Sequence, residues 1–78
     1  MKNIEKYNKV FMEAFMIGEE QLKGLKYQSI AEWDSVGHMT LMADLEEAFG
    51  IEMDTDDIVD FSGYEEGLEI LKKYNIEF

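Results

Sequence analysis

Asp34, Ser35 and His38 are the side chains whose types and spacing could do chemistry together. A serine with a histidine one turn later suggests acyl hydrolysis, but that chemistry also needs a third orienting group and an oxyanion hole. The nucleophile-elbow pattern G-x-S-x-G fails here, because Trp33 stands at its first glycine position. A second chemistry is phosphate esterification. A serine at the start of a helix sits among unpaired N–H groups and a partial positive charge, which favour a phosphate on its oxygen. The plain reading of the same residue is an ordinary helix-capping serine. The acidic run Asp54-Thr55-Asp56-Asp57 raises calcium, yet Ile58 and Val59 occupy the places where an EF-hand loop needs Asp or Asn and then Gly. With no cysteine and one histidine, thiolate chemistry is excluded and no metal site is expected.

These residues must be held by helices. Ile4, Tyr7, Phe11, Ala14 and Phe15 recur at helical spacing and predict a first helix over about Lys2 to Met16, stopped by Gly18. Ile17 to Asp34 has no clean period and reads as a long loop anchored by Leu22, Leu25, Tyr27 and Ile30. Loops of this length are uncommon in small domains and are often functional. Trp33 is expected to anchor the chain where it turns into the second helix. That helix should begin at Asp34 or Ser35 and end near Phe49, with Gly50 just beyond. A short acidic helix follows over about Thr55 to Asp60. Ser62-Gly63-Tyr64-Glu65 matches a capping box and opens a last helix, about Tyr64 to Tyr74, with Leu68, Leu71 and Tyr74 inward and Lys72 and Lys73 at its end. The expected fold is all-α: a small four-helix bundle of three longer helices and a short one, with the long loop between the first two.

The 78 residues allow one small domain, spanning 1–78. An apolar fraction of 46% with ten aromatics argues against disorder despite 32% charged residues. Apolar runs are only a few residues long, so no membrane span or signal peptide is expected and a cytoplasmic chain is. Seven Lys against eighteen Asp and Glu leave a formal net charge of −11. That balance repels nucleic acid and anionic membranes and favours a basic partner. The charge is polarised: Met1 to Tyr27 carries five Lys and four Glu, whereas Gln28 to Leu71 carries thirteen acids and no Lys.

The second helix has apolar residues to spare. At about 100° per residue, Leu41, Met42, Leu45, Ala48 and Phe49 form a core-facing arc, and His38 falls on the same side, packed or partly covered. Val36, Met39 and Ala43 form a second apolar strip, flanked by Thr40, Asp44, Glu46 and Glu47. Excess apolar surface beside acids suits a partner-binding face. Periodicity equally allows a helix packed on two sides, with the long loop covering the strip.

Trp33-Asp34-Ser35-Val36-Gly37-His38-Met39 resembles the Asp-Ser-Leu attachment motif of acyl carrier proteins. Leu45-Glu46-Glu47-Ala48-Phe49-Gly50-Ile51-Glu52-Met53 resembles the stretch that closes the second helix of that family. Length, helix order and acidity agree with the family over the whole chain; the specific match runs from Trp33 to about Asp60. The resemblance implies that Ser35 is esterified with 4'-phosphopantetheine, donated by coenzyme A through a phosphopantetheinyl transferase. Cargo would then travel as a thioester on the terminal thiol of that arm, supplying a thiol that the chain lacks. Asp34 would help position the transferase's metal and the serine hydroxyl. Val36, Met39, Glu46 and Glu47 match positions that face partner enzymes. The strip and its flanks add Thr40, Ala43 and Asp44 to that face, and the acidic Thr55–Asp60 segment adds Asp56 and Asp57, which would meet loading and transfer enzymes with basic surfaces.

Val36 replaces the usual Leu, Thr40 stands where many fatty-acid carriers have Glu, and Asp54 stands where Pro is frequent. The motif is closer to stand-alone carriers of specialised pathways, such as polysaccharide modification or secondary metabolism. The resemblance thus implies a monomeric, non-catalytic carrier of acyl or aminoacyl groups. Its rival is an acidic helical adaptor that binds a basic protein without any arm. A peptidyl carrier would share the chemistry but usually has a Gly-Gly-x-Ser motif, which Glu32-Trp33 do not match; a Ser35–His38 hydrolase ranks last.

Overall fold

Helix α1 (Asn3–Phe15) turns one aromatic stripe inward, as its period requires: Tyr7, Phe11 and Phe15 are all buried. The computed structural model describes every residue from Met1 to Phe78. It contains four α-helices and no strand: α1, α2 (Ser35–Phe49), α3 (Thr55–Asp60) and α4 (Tyr64–Lys72). A single 3₁₀ turn at Glu19–Gln21 interrupts the long connection between α1 and α2. The small helical bundle expected from periodicity is therefore the observed fold. α1 ends earlier than Gly18, because Met16 itself takes the left-handed C-cap conformation at φ 55°.

One core joins all the elements. Leu41, Met42 and Leu45 of α2, Leu71 of α4, and Met53, Phe61 and Ile76 between and after the helices close on the α1 stripe. Trp33 sits at its centre, fully buried, stacked on Phe15 at 5.2 Å and edge-on to Phe11 at 5.6 Å. Aromatic pairs in this range add to the energy of area burial alone. The loop before α2 reaches the core through Leu22, Leu25 and Trp33, as its apolar spacing suggests.

The capping box at Ser62–Glu65 does not form. Gly63 precedes α4 without a side-chain cap. The long loop runs antiparallel beside it instead: Tyr27 N–H donates to the Ser62 carbonyl and Tyr64 N–H to the Leu25 carbonyl, both at 2.9 Å. Glu65 is drawn across to accept the Gly24 N–H at 3.0 Å. The carboxylate that a local box needs is thus taken by a partner distant in the chain. The last helix ends at Lys72; Lys73 caps it, and its side chain pairs with Asp57.

Charge repulsion opposes this fold. The chain from Gln28 onward carries fourteen acids and only two lysines, Lys72 and Lys73, with Lys26 reaching across to Glu66, and a core of this size leaves a narrow stability margin. Screening shortens the range of that repulsion. The melting temperature is therefore expected to rise by several degrees between low and physiological salt, and again with millimolar Mg²⁺. Thermal melts at several ionic strengths check this, and indifference to both would show that repulsion does not limit stability.

Candidate functional site

The start of α2 is set by two local devices. Asp34 is the N-cap: its backbone is extended, and its Oδ1 accepts the Gly37 N–H at 2.8 Å. Trp33, buried immediately before it, fixes where the chain turns. At the far end Gly50 takes the left-handed conformation at φ 63° that a helix C′ position favours. Both ends of α2 stand where the residue types predict them.

Ser35 is the first residue of α2. It is exposed, and its hydroxyl makes no hydrogen bond within the fold. It lies on the rim of a cavity of about 330 Å³ between α2, α3 and the long loop. Met39, Ile58, Val59, Phe61 and Tyr27 make most of the wall, and Ser35, His38 and Ser62 complete it. Phe61 is buried and forms the floor, whereas Ser35, Met39, Val59 and Ser62 are exposed at the mouth.

His38 is half-buried, as the helical wheel suggested. Trp33 Nε1–H donates to its Nδ1 at 2.9 Å, and its Nε2 lies 2.8 Å from the Ile58 carbonyl. An indole N–H can only donate and a carbonyl can only accept, so the partners assign the proton to Nε2. Neither nitrogen is left for the Ser35 hydroxyl. The side chain therefore ties the loop and α3 to α2, and a Ser35–His38 catalytic pair does not form.

The second apolar strip of α2 lies open. Val36 is 74% exposed and Met39 57%, with Ala43 exposed beyond them. The long loop covers Trp33 and leaves the strip bare, so the helix is not packed on two sides. Val59 of α3, 73% exposed, is a further bare apolar residue and shares the cavity mouth with Met39. It escaped the sequence reading because a six-residue helix shows too little period to say which residues face out.

Thr40, Asp44, Glu47 and Asp56 are exposed, as a docking rim requires. Two acids expected on that rim are engaged elsewhere. Glu46 is partly buried, and its carboxylate accepts the Met53 N–H at 2.8 Å, stapling the turn after α2. Asp57 is buried at 5% exposure, because Lys73 and the Tyr74 hydroxyl both donate to its carboxylate. Tyr74 also accepts the Asp54 N–H at 2.9 Å, so the start of α3 is clasped to the end of α4.

Those donors, Lys73 first, hold the Asp57 carboxyl below the ordinary aspartate range, while Asp57 raises Lys73. A lowered carboxyl contributes stability above its unfolded value of about 4 and loses it as pH falls through the lowered folded value. Asp57→Asn is accordingly expected to melt several degrees lower than the parent at pH 7. The gap should close progressively below about pH 4. Paired melts across pH measure it, and a gap that persists at low pH would mean that ionisation of the clasp is immaterial.

No helix is long and apolar enough to cross a membrane. Comparison with family models, with curated proteins and with solved structures finds no match to this chain.

Proposed function

We propose that this chain is a carrier protein that takes a 4'-phosphopantetheine arm on Ser35 and presents acyl or aminoacyl cargo to partner enzymes in the cytoplasm. The observation that carries the reading is the Ser35 hydroxyl: solvent-exposed, free of any bond in the fold, at the first turn of a 15-residue helix and on the rim of an apolar cavity. A phosphodiester there would lie at the positive end of the helix dipole. The residues fit the group in a second respect. Asp34 spends one carboxylate oxygen on the Gly37 N–H and keeps the other for a transferase's metal.

The arm, once attached, supplies a thiol on which cargo is held as a thioester. The chain's own residues do the rest. Ser35 provides the anchoring oxygen. Val36, Met39, Ala43 and Val59 offer a small apolar contact, and Asp44, Glu47 and Asp56 orient basic partners around it. Charge complementarity of this kind speeds encounter and is weakened by salt. A modest apolar area keeps each complex transient, so that one carrier can visit several enzymes in turn. The departures at Val36, Thr40 and Asp54 favour a stand-alone carrier of a specialised pathway.

Incubation with coenzyme A and a promiscuous phosphopantetheinyl transferase is expected to add one arm, read as a single mass increment on the intact chain. An unchanged mass, under conditions that load a control carrier, would leave the arm-free adaptor as the better reading. That adaptor would bind a basic protein through the same α2 face.

A further inference from the structure

The cavity beside Ser35 is apolar, but it does not run the length of α2. Its α2 wall consists of Ser35, His38 and Met39. Met42 and Leu45, the next residues on the inward side, are 1% and 0% exposed and take no part in the wall. The cavity stops where His38 crosses from α2 to the Ile58 carbonyl of α3, with Trp33 bonded to its other nitrogen. α2 and α3 cannot part beyond this point without breaking the bond between His38 Nε2 and the Ile58 carbonyl.

We propose that His38 is the residue that sets cargo size: it closes the inner end of the cavity, so the site shelters a short, apolar acyl group and excludes long chains. This deepens the carrier reading and rests on it. A methylene fills roughly the ~30 Å³ of a water in the liquid, so the cavity holds about ten heavy atoms. Allowing for the thioester leaves about eight carbons. The wall also selects by polarity. Both His38 nitrogens are committed, and the remaining polar groups, Ser35, Ser62 and the Tyr27 hydroxyl, belong to residues that are exposed or half-exposed. An aminoacyl cargo would therefore find no partner for its ammonium inside.

The test loads the full chain with arms carrying acyl groups of two to sixteen carbons, by transfer from the matching acyl-coenzyme A. Intact mass first verifies that each arm is attached, so a failure of the carrier reading shows at that step and is distinct from a failure of this one. The melting temperature is then expected to rise by up to about 6–13 °C for each added pair of fully buried carbons, and to level off near eight. In His38→Ala the rise should continue to twelve carbons or beyond, and His38→Ser repeats the enlargement should the alanine variant not fold. A glycyl load should leave the melting temperature at the value of the bare arm. A steady rise to sixteen carbons in the parent, no dependence on length, or a plateau unmoved by either His38 variant would each overturn the proposal.

Discussion

Ser35→Ala is expected to take up no arm and remain folded, whereas Asp34→Ala is expected to be visibly destabilised and still accept one. The contrast follows from what each side chain does in the fold. The Ser35 hydroxyl is bonded to nothing and stands exposed, so its loss should change stability by less than about 0.5 kcal/mol, the usual range for a surface substitution. Asp34 satisfies the Gly37 N–H as N-cap, and removing such a cap costs about 1 kcal/mol. In a domain of this size that lowers the melting temperature by about 4–8 °C. The same substitution removes the free carboxylate oxygen that would meet the transferase's metal, so Asp34→Ala should load at least tenfold more slowly. Melts and loading time courses on the two variants separate the roles. An arm on Ser35→Ala would place the attachment elsewhere, and a Ser35→Ala chain that fails to fold would show that the hydroxyl has a structural task. An arm-free adaptor would bind its partner equally well with either residue at position 35.

What could be read from the residues alone was whatever depends on neighbours in the chain. The ends of α2 follow from Asp34 and Gly50, each of which acts within one turn, and α3 follows from its apolar and acidic pattern at Thr55–Asp60. The burial of Trp33 and the covering of His38 follow from their places relative to the core arc. The sequence reading fell short where a partner distant in the chain competes with a local one. Ser62-x-x-Glu65 has the residues of a capping box, yet the Gly24 N–H takes the Glu65 carboxylate. Glu46 and Asp57 look like surface acids until the Met53 N–H, Lys73 and Tyr74 are brought beside them. The cavity was invisible for the same reason, since α2, α3 and the long loop each supply part of its wall. The place of Ser35 at the start of α2 was legible because it depends on Asp34, its neighbour in the chain.

Gly37→Ala should lower the melting temperature by about 5–10 °C, although helix propensity alone predicts the opposite sign. Within a helix, alanine is normally favoured over glycine by about 1 kcal/mol. At this position a Cβ would stand 2.0 Å from the Glu32 carbonyl oxygen and 3.3 Å from Asp34 Oδ1. The first contact is with backbone, so no side-chain rotation relieves it; either the loop or the first turn of α2 must move. The loop is not free to move. Trp33, one residue on, is fully buried, its carbonyl accepts the Gln28 N–H at 2.9 Å, and its indole is bonded to His38. Forced overpacking of this kind costs about 1–3 kcal/mol, enough to outweigh the propensity gain. The displacement would fall on Asp34 and Ser35, which lie between the clashing groups, so loading of the arm should slow together with the loss of stability. A variant that melts higher than the parent and loads at the parental rate would show that the close passage of Glu32 over α2 is not what holds Ser35 in place. The glycine is thus needed for the fold of the loop over the helix, and through that fold for the reach of a single hydroxyl into solvent.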